Sequence, residues 1–426
     1  MHKLKFKSWT PLNLSKPGGT NMKLINHFIL SSLTALTLLS GAAAYAQQDV
    51  AVTATPTREL SNAEILALKP VVNPLKAPDT SGVKADTMRG PDPQGVMRKD
   101  GPFSFDDYSA MAYGTFGIPY TTTRVQDGVR SALGTTDSNR LSTTYPYRTI
   151  GKLTFSEGYC SASLIRRSVI VTAAHCIQDF GSGTTIFQNF QFRPGHYGAT
   201  GATAAQIAPH GTWNWVALVR PAAWANGTDI GCGAARDNDL AVIALSKKNG
   251  QFIGDIVGRM SYGWNNYSFV TSSKTGNLHT AAVSTLGYPF LMDRGAIMQR
   301  TDGPTYTTTV SCSGNTARQL RQGSNLTGGS SGGPLVVNFS GRNPVLSGGA
   351  VAGTASVMAV VGVTSWGSAD PNTPKDNFSS QFSQNSRYPN PSYGIYGAGN
   401  IGSLLNTLCS SPAPGGGTYA SAGYCS

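Results

Sequence analysis

Two adjacent serines stand inside four glycines in Gly328-Gly329-Ser330-Ser331-Gly332-Gly333, and Pro334 then opens the apolar run Leu335-Val336-Val337. Glycine permits turns and close backbone approaches that a Cβ resists, so such a stretch can present a hydroxyl for attack. Taken alone, it reads equally well as a loop or linker. A serine hydroxyl becomes a good nucleophile only when a neighbouring base takes its proton, and the oxyanion it creates needs donors aimed at it. The chain must therefore supply an imidazole and a carboxylate elsewhere.

Beyond the N-terminal region, the imidazoles are His175, His196, His210 and His279. His175 stands out in "SVIVTAAHCIQDF", where a buried-looking strand ends in small residues and delivers the ring beside Cys176. Bridging Cys176 to Cys160 in "EGYCSASLIRR" would fix the strand that carries His175, and closing a loop of that length is worth about 3 kcal/mol. An orienting acid follows in "CGAARDNDLAVIAL": Asp239 sits at the entrance of an apolar run, where it can be buried enough to accept an imidazole N–H. Asp237, farther from that run, reads as a solvated turn residue.

These groups need rigid elements to bring them together. Short apolar runs recur between turn signals, among them "SASLI", "SVIVTAA", "WVALV", "LAVIAL", "AAVSTLGYPF", "PLVVNF" and "VMAVVGVTSW". Their length and β-branched content suit strands of an all-β barrel or sandwich. The 50 glycines among 426 residues supply the turns such a fold demands.

The N-terminus is a targeting signal. "MKLINHFILSSLTALTLLSGAAAYAQQ" has a basic start, an apolar centre and a small-x-small ending at Ala44-Tyr45-Ala46, so residues 1–46 are a signal-peptide region whose true start is either Met1 or Met22. Residues 47–130 are proline-rich and aperiodic, a poor core builder read as a propeptide. Residues 131–426 hold the folded domain. Export to an extracellular or periplasmic space makes the six cysteines disulfide candidates, and no CxxC pair is present. Cys232, Cys312, Cys409 and Cys425 allow three pairings. The formal charge is +12, but from residue 131 onward 19 basic residues face 11 acidic ones, and they are scattered. That pattern favours a solubilising surface over a nucleic-acid site. No second run approaches the roughly 20 apolar residues that span a bilayer, so no membrane attachment is expected after signal cleavage.

"TAAHC", "DNDLAVIAL", "GGSSGGPLV" and "TSWG" occur in the order of the base, acid, nucleophile and substrate strand of chymotrypsin-like serine proteases. The chain resembles that family over about residues 131–405, and "LSTTYPYRTIGKLTF", "CSASLI" and "GYPF" are most similar to its bacterial glutamyl-endopeptidase branch. The resemblance implies two antiparallel six-stranded β-barrels, the first at about 145–250 and the second at about 255–408, with the active site in the cleft between them and a tail at 409–426. It implies His175, Asp239 and Ser331 as the triad, with Ser330 a mere neighbour, and the N–H groups of Gly329 and Ser331 as the oxyanion hole. Ser365, Trp366 and Gly367 would pair with an extended polypeptide substrate, and Asn325, Leu326, Thr327 and Thr364 would line the pocket for the residue before the scissile bond. Neither a metal nor an organic cofactor is required, and a monomer is expected.

Three departures matter. Ser330 replaces the aspartate that many animal relatives pair with a newly freed N-terminus. Thr364 and Ser365 stand where glutamyl endopeptidases use a histidine, and Asn325 offers no carboxylate for a basic side chain, so a neutral or apolar residue is expected in the pocket. Maturation is expected after Arg130, exposing Ser131, with Arg124 and Arg140 as rival sites. The alternatives are a catalytically silent binding protein on the same fold and a basic surface-binding protein. Inhibitor labelling separates the first, and salt-dependent affinity indifferent to Ser331 would mark the second.

Overall fold

The computed structural model describes residues 50–54, 58–72, 120–125, 141–228, 234–271, 279–312, 315–339, 357–367, 376–389 and 393–426. Two strands come before the barrels in the chain, β1 (Val50–Thr53) and β2 (Thr121–Arg124), with the short helix α1 (Asn62–Ala67) between them. The first barrel comprises β3 (Ile150–Phe155), β4 (Gly158–Arg166), β5 (Val169–Thr172), β6 (Gln191–Pro194), β7 (Trp213–Arg220) and β8 (Ala241–Leu245). Its order is β7-β6-β3-β4-β5-β8, and β8 closes onto β7 with Leu218 opposite Ile243. Leu153, Phe155, Ala162, Leu164, Ile170, Phe192, Trp213 and Leu218 fill its interior. The alternation that puts Leu153 and Phe155 inside sends Lys152 and Thr154 to the other face, and these too are buried.

Beyond it lie two short strands, β9 (Ser261–Tyr262) and β10 (Val270–Thr271), followed by β11 (His279–Gly287), β12 (Gln299–Cys312), β13 (Asn315–Gly323), β14 (Pro334–Val337), β15 (Ala359–Gly367) and β16 (Asp376–Gln381). The second barrel runs β11-β14-β15-β16-β13-β12 and closes where β12 returns to β11, Thr301 opposite Thr285. Both sheets are therefore closed six-stranded antiparallel barrels, as the sequence resemblance implies, and closure removes the exposed edges an open sheet would leave.

Residues 47–130 contribute more structure than their composition suggests. β1 extends the first barrel along β7, with Val52 opposite Leu218, and β2 extends the second along β12, with Thr122 opposite Thr301. Ile65, Tyr120 and Val125 are buried, so parts of this segment add to the packed interior. The signal-peptide region 1–46, and Arg130 and Ser131 at the expected processing site, lie outside the described residues.

One helix interrupts the all-β pattern near the C-terminus, α2 (Gly399–Ser410), whose Ile401, Leu404, Leu405 and Leu408 are buried. They join Val219, Val242 and Ala244 of the first barrel in one cluster. The tail folds back after it: Cys409 is bonded to Cys425, Ser168 N donates to Tyr424 O at 2.8 Å, and Arg167 N donates to Ser426 O at 3.0 Å. Among the described residues, no helix is long and apolar enough to cross a membrane.

Candidate active site

His175 lies in a 3-10 turn, Ala174–Cys176, directly after β5. Cys176 is bonded to Cys160 of β4, so the turn is tied to the neighbouring strand. Asp239 stands two residues before β8, the strand that pairs with β5. Strand pairing thus brings acid and base together: Asp239 Oδ2 lies 2.8 Å from His175 Nδ1, and Oδ1 accepts from the His175 backbone N–H at 3.0 Å. Both side chains are fully buried. Burial alone would raise the Asp239 carboxyl, but the His175 charge and hydrogen bonds from His175 and Ser365 hold it below the ordinary carboxylate range. The two bonds on Asp239 orient the ring so that Nε2 faces away from the carboxylate. That Nε2 is buried and has no hydrogen-bond partner, Ser331 Oγ included, among the described residues.

Asp237, only two positions earlier, turns elsewhere: its carboxylate accepts from the Arg318 N–H of the second barrel. His196 is also buried and apart from this pair, with Nδ1 2.7 Å from Ile207 O.

The serine turn is held by close approaches that only glycine permits. Gly329 has φ +95° and Gly332 φ +76°, in the region side chains disfavour. A Cβ on Gly332 would lie 2.1 Å from Thr172 Oγ1 and 2.4 Å from Ser161 O, both in the first barrel, and one on Gly329 would lie 2.5 Å from Tyr288 O. The turn is also stitched in place: Ser161 N donates to Ser331 O at 2.8 Å, Gly332 N to Thr364 O at 2.8 Å, and Thr364 N to Gly333 O at 2.9 Å. The two serines differ. Ser330 Oγ is engaged in a 2.6 Å bond to Thr327 O and its N–H donates to the same oxygen, whereas the Gly329 and Ser331 N–H groups have no backbone acceptor among the described residues.

Ser161 is a residue that the sequence reading missed. Its Oγ donates to Gly329 O at 2.8 Å and accepts from Tyr288 N at 3.0 Å, so one hydroxyl from β4 sets the orientation of the serine turn. Within an apolar strand motif it carried no signal of that role. Ser365 also does more than line a substrate strand: its hydroxyl donates to Asp239 Oδ2 at 2.5 Å.

β14 pairs with β15 as far as Val363, and Trp366 and Gly367 of β15 pair with Phe378 and Asn377 of β16. Trp366 is fixed by stacking on Phe378 at 4.0 Å between ring centroids and by its Nε1 donating to Gln319 Oε1 at 2.7 Å. Asn325 Oδ1 accepts from Thr122 Oγ1 of β2 at 2.5 Å, Leu326 is buried, and Thr364 Oγ1 is buried without a partner among the described residues. Cys160, His175 and Cys176 cluster closely enough to suggest metal ligands, yet both sulfurs are spent in the disulfide and Nδ1 is engaged by Asp239.

Two closed six-stranded antiparallel barrels, the first carrying a buried carboxylate and imidazole and the second a glycine-cradled serine turn, define the chymotrypsin-type architecture of serine proteases. Residues 137–385 match the Trypsin family, and the chain belongs to it. It is 28% identical over 216 residues to the glutamyl endopeptidase of Bacillus licheniformis, an overlap of 50% of this chain and 57% of that relative's length. Among solved structures it is similar to the thermostable serine protease AL20 from an extremophilic microorganism, at 26% identity and a TM-score of 0.40 over 55% of this chain and 92% of that one. It is also similar to the protease Anisep from Arthrobacter nicotinovorans, at 21% identity and a TM-score of 0.43 over 63% and 98%.

Proposed function

We propose that the chain is an exported serine endopeptidase that cleaves polypeptides through Ser331, His175 and Asp239. The observation that carries this reading is the buried Asp239–His175 pair, its ring nitrogen Nε2 left open, beside a serine turn whose neighbouring hydroxyl on Ser330 is already engaged. His175 takes the proton of Ser331 Oγ as that oxygen attacks the scissile carbonyl, and Asp239 steadies the imidazolium that forms. The carbonyl oxygen, now negative, is received by the N–H groups of Gly329 and Ser331. Losing one such donor costs roughly 3 to 4 kcal/mol of transition-state stabilisation. The imidazolium returns its proton to the leaving amine, an acyl ester remains on Ser331, and water activated by the same ring releases it.

Substrate backbone pairs with Ser365, Trp366 and Gly367, as an added strand. The side chain before the scissile bond meets Asn325, Leu326, Thr327 and Thr364, a neutral set that suits a neutral or apolar group. Export is supported by the signal-like N-terminus and by disulfides Cys160–Cys176 and Cys409–Cys425, which persist in oxidising compartments.

The test is a fluorophosphonate probe applied to the secreted, processed chain and read by intact mass. Labelling is expected in the wild type and in Ser330→Ala and lost in Ser331→Ala. A folded, processed wild type that takes no label would hand the site to the silent binding-protein reading.

A further inference from the structure

The stretch before the barrels crosses the first barrel as a strap. Gln191 acts as a strand partner in miniature, its Nε2 donating to Arg58 O at 2.9 Å and its Oε1 accepting from Leu60 N at 3.2 Å. α1 follows, closed by a capping box between Ser61 and Glu64, with Ile65 buried and Leu66 Cδ2 only 2.7 Å from where a Cβ on Gly198 would stand. The chain then meets β4 itself. Tyr159 N donates to Lys69 O and Val71 N donates to Tyr159 O, both at 3.1 Å, and Pro70 pairs with Tyr159 in parallel register. Val72 Cγ1 comes within 3.0 Å, and Pro70 Cγ within 3.5 Å, of the Cβ position of Gly328. Val72 remains 61% exposed, so the end of the strap is held by backbone bonds rather than by burial.

The place it occupies is defined by its neighbours. Cys160, the next residue after Tyr159, is bonded to Cys176 beside His175, and Ser161 donates to Ser331 O. Gly328 adjoins Gly329. If the acyl side of a bound peptide lies along Ser365–Gly367, its leaving side must run out past Gly328 and Tyr159. Direction then decides what the strap can be. From Tyr159 to Ser161, β4 leads towards Ser331, and the strap runs parallel to it. The leaving segment of a substrate starts at Ser331 and runs away, so the strap has the opposite polarity.

We propose that Lys69–Val72 is an autoinhibitory strap: it fills the leaving-group side of the cleft backwards, where it blocks peptides without offering a bond in the direction that Ser331 cleaves. This rests on the protease reading above, and it assigns the occupant and the regulation of that same site.

The test uses the enzyme purified from the medium, its N-terminus read by mass, with a synthetic peptide of sequence Arg58–Val72 added back. Inhibition is expected to be competitive towards a peptide substrate with four residues on its leaving side, while fluorophosphonate labelling, which needs no leaving-side contact, is expected to be unchanged. N-methylation at Val71 removes the N–H that reaches Tyr159 O and should weaken inhibition about fivefold or more. If the purified enzyme still carries residues 58–72, the full-length Val71→Pro variant replaces the added peptide, and extended-peptide turnover should rise by a similar factor over wild type. Equal inhibition by the N-methylated peptide, no inhibition at millimolar concentration, or unchanged turnover in Val71→Pro overturns the strap. Absence of both labelling and hydrolysis in the processed enzyme without added peptide overturns the protease reading instead.

Discussion

The two barrels hold the proposed reactive groups by different means. In the first, a covalent bond between Cys160 and Cys176 and a buried pair of Asp239 and His175 fix the imidazole through specific side chains. In the second, the serine turn owes its position to missing side chains: Gly332 and Gly333 allow contacts that a Cβ would close to 2.1 Å from Thr172 Oγ1 and from Leu286 O respectively. A base must keep one ring orientation while its charge changes, which calls for directional partners. A nucleophile turn must present an oxygen and two N–H groups at once, which calls for backbone shape. The first arrangement is expected to lose function by degrees when a partner is removed, whereas the second is expected to fail sharply when one atom is added.

Gly332→Val tests the sharp side and should have the largest effect. The added side chain meets both positive φ and first-barrel atoms, so fluorophosphonate labelling is expected to fall by about 100-fold or more, comparable to losing an oxyanion donor. Labelling within a few-fold of wild type would show that the turn yields more than its packing implies.

Removing the disulfide with Cys160→Ala and Cys176→Ala tests the graded side. Urea unfolding in a Ser331→Ala background should show a loss of about 3 kcal/mol. With Ser331 intact, labelling should persist well below the midpoint, because Asp239 still holds the ring. Lost labelling in the folded double variant would mean that the disulfide itself orients His175.

The smallest effect concerns Lys152, which reaches from the first barrel to Gly295 O at 3.1 Å and sits 3.9 Å above the Tyr159 ring. Burial, then the nearby charge of Arg193, pushes it down to about 7. An unfolded lysine titrates near 10.4, so between about pH 7 and about 10 the unfolded chain binds a proton that the folded one lacks, and stability rises with pH across that window. Lys152→Met in the Ser331→Ala background should flatten that rise and add about 1 to 2 kcal/mol at pH 6. An unchanged pH slope in urea denaturation would place the titration elsewhere.

The same contrast explains what the sequence could and could not disclose. The buried pairing of His175 with Asp239 and the tight turn around Ser331 were legible because each residue sits in a contiguous motif whose neighbours announce its environment: small residues after a strand, a carboxylate before one, glycines around a turn. Strand content was equally readable from runs such as "SVIVTAA" and "LAVIAL". Ser161 was not, because a serine in a buried strand looks like filler until Gly329 O is found 2.8 Å away. β2 was hidden because "TTTR" has no apolar alternation and takes its place from pairing with β12. α2 was missed because its apolar stripe of Ile401, Leu404, Leu405 and Leu408 lies in a Gly/Ser-rich stretch. The strap at Lys69–Val72 had no signal, since it lies in the proline-rich, aperiodic stretch that read as a propeptide and a poor core builder.

The return of the tail has a mechanical side. The chain leaves the first barrel at Leu245, builds the second, and comes back through α2 to end with Ser426 O accepting from Arg167 N. Two bodies joined by one connection can swing like a door; joined by two, they behave like a closed bracket whose gap is set by its longer arm. Residues far from either His175 or Ser331 thus help tie the second barrel back to the first, and the bond between Cys409 and Cys425 holds the tail onto the helix that makes that return.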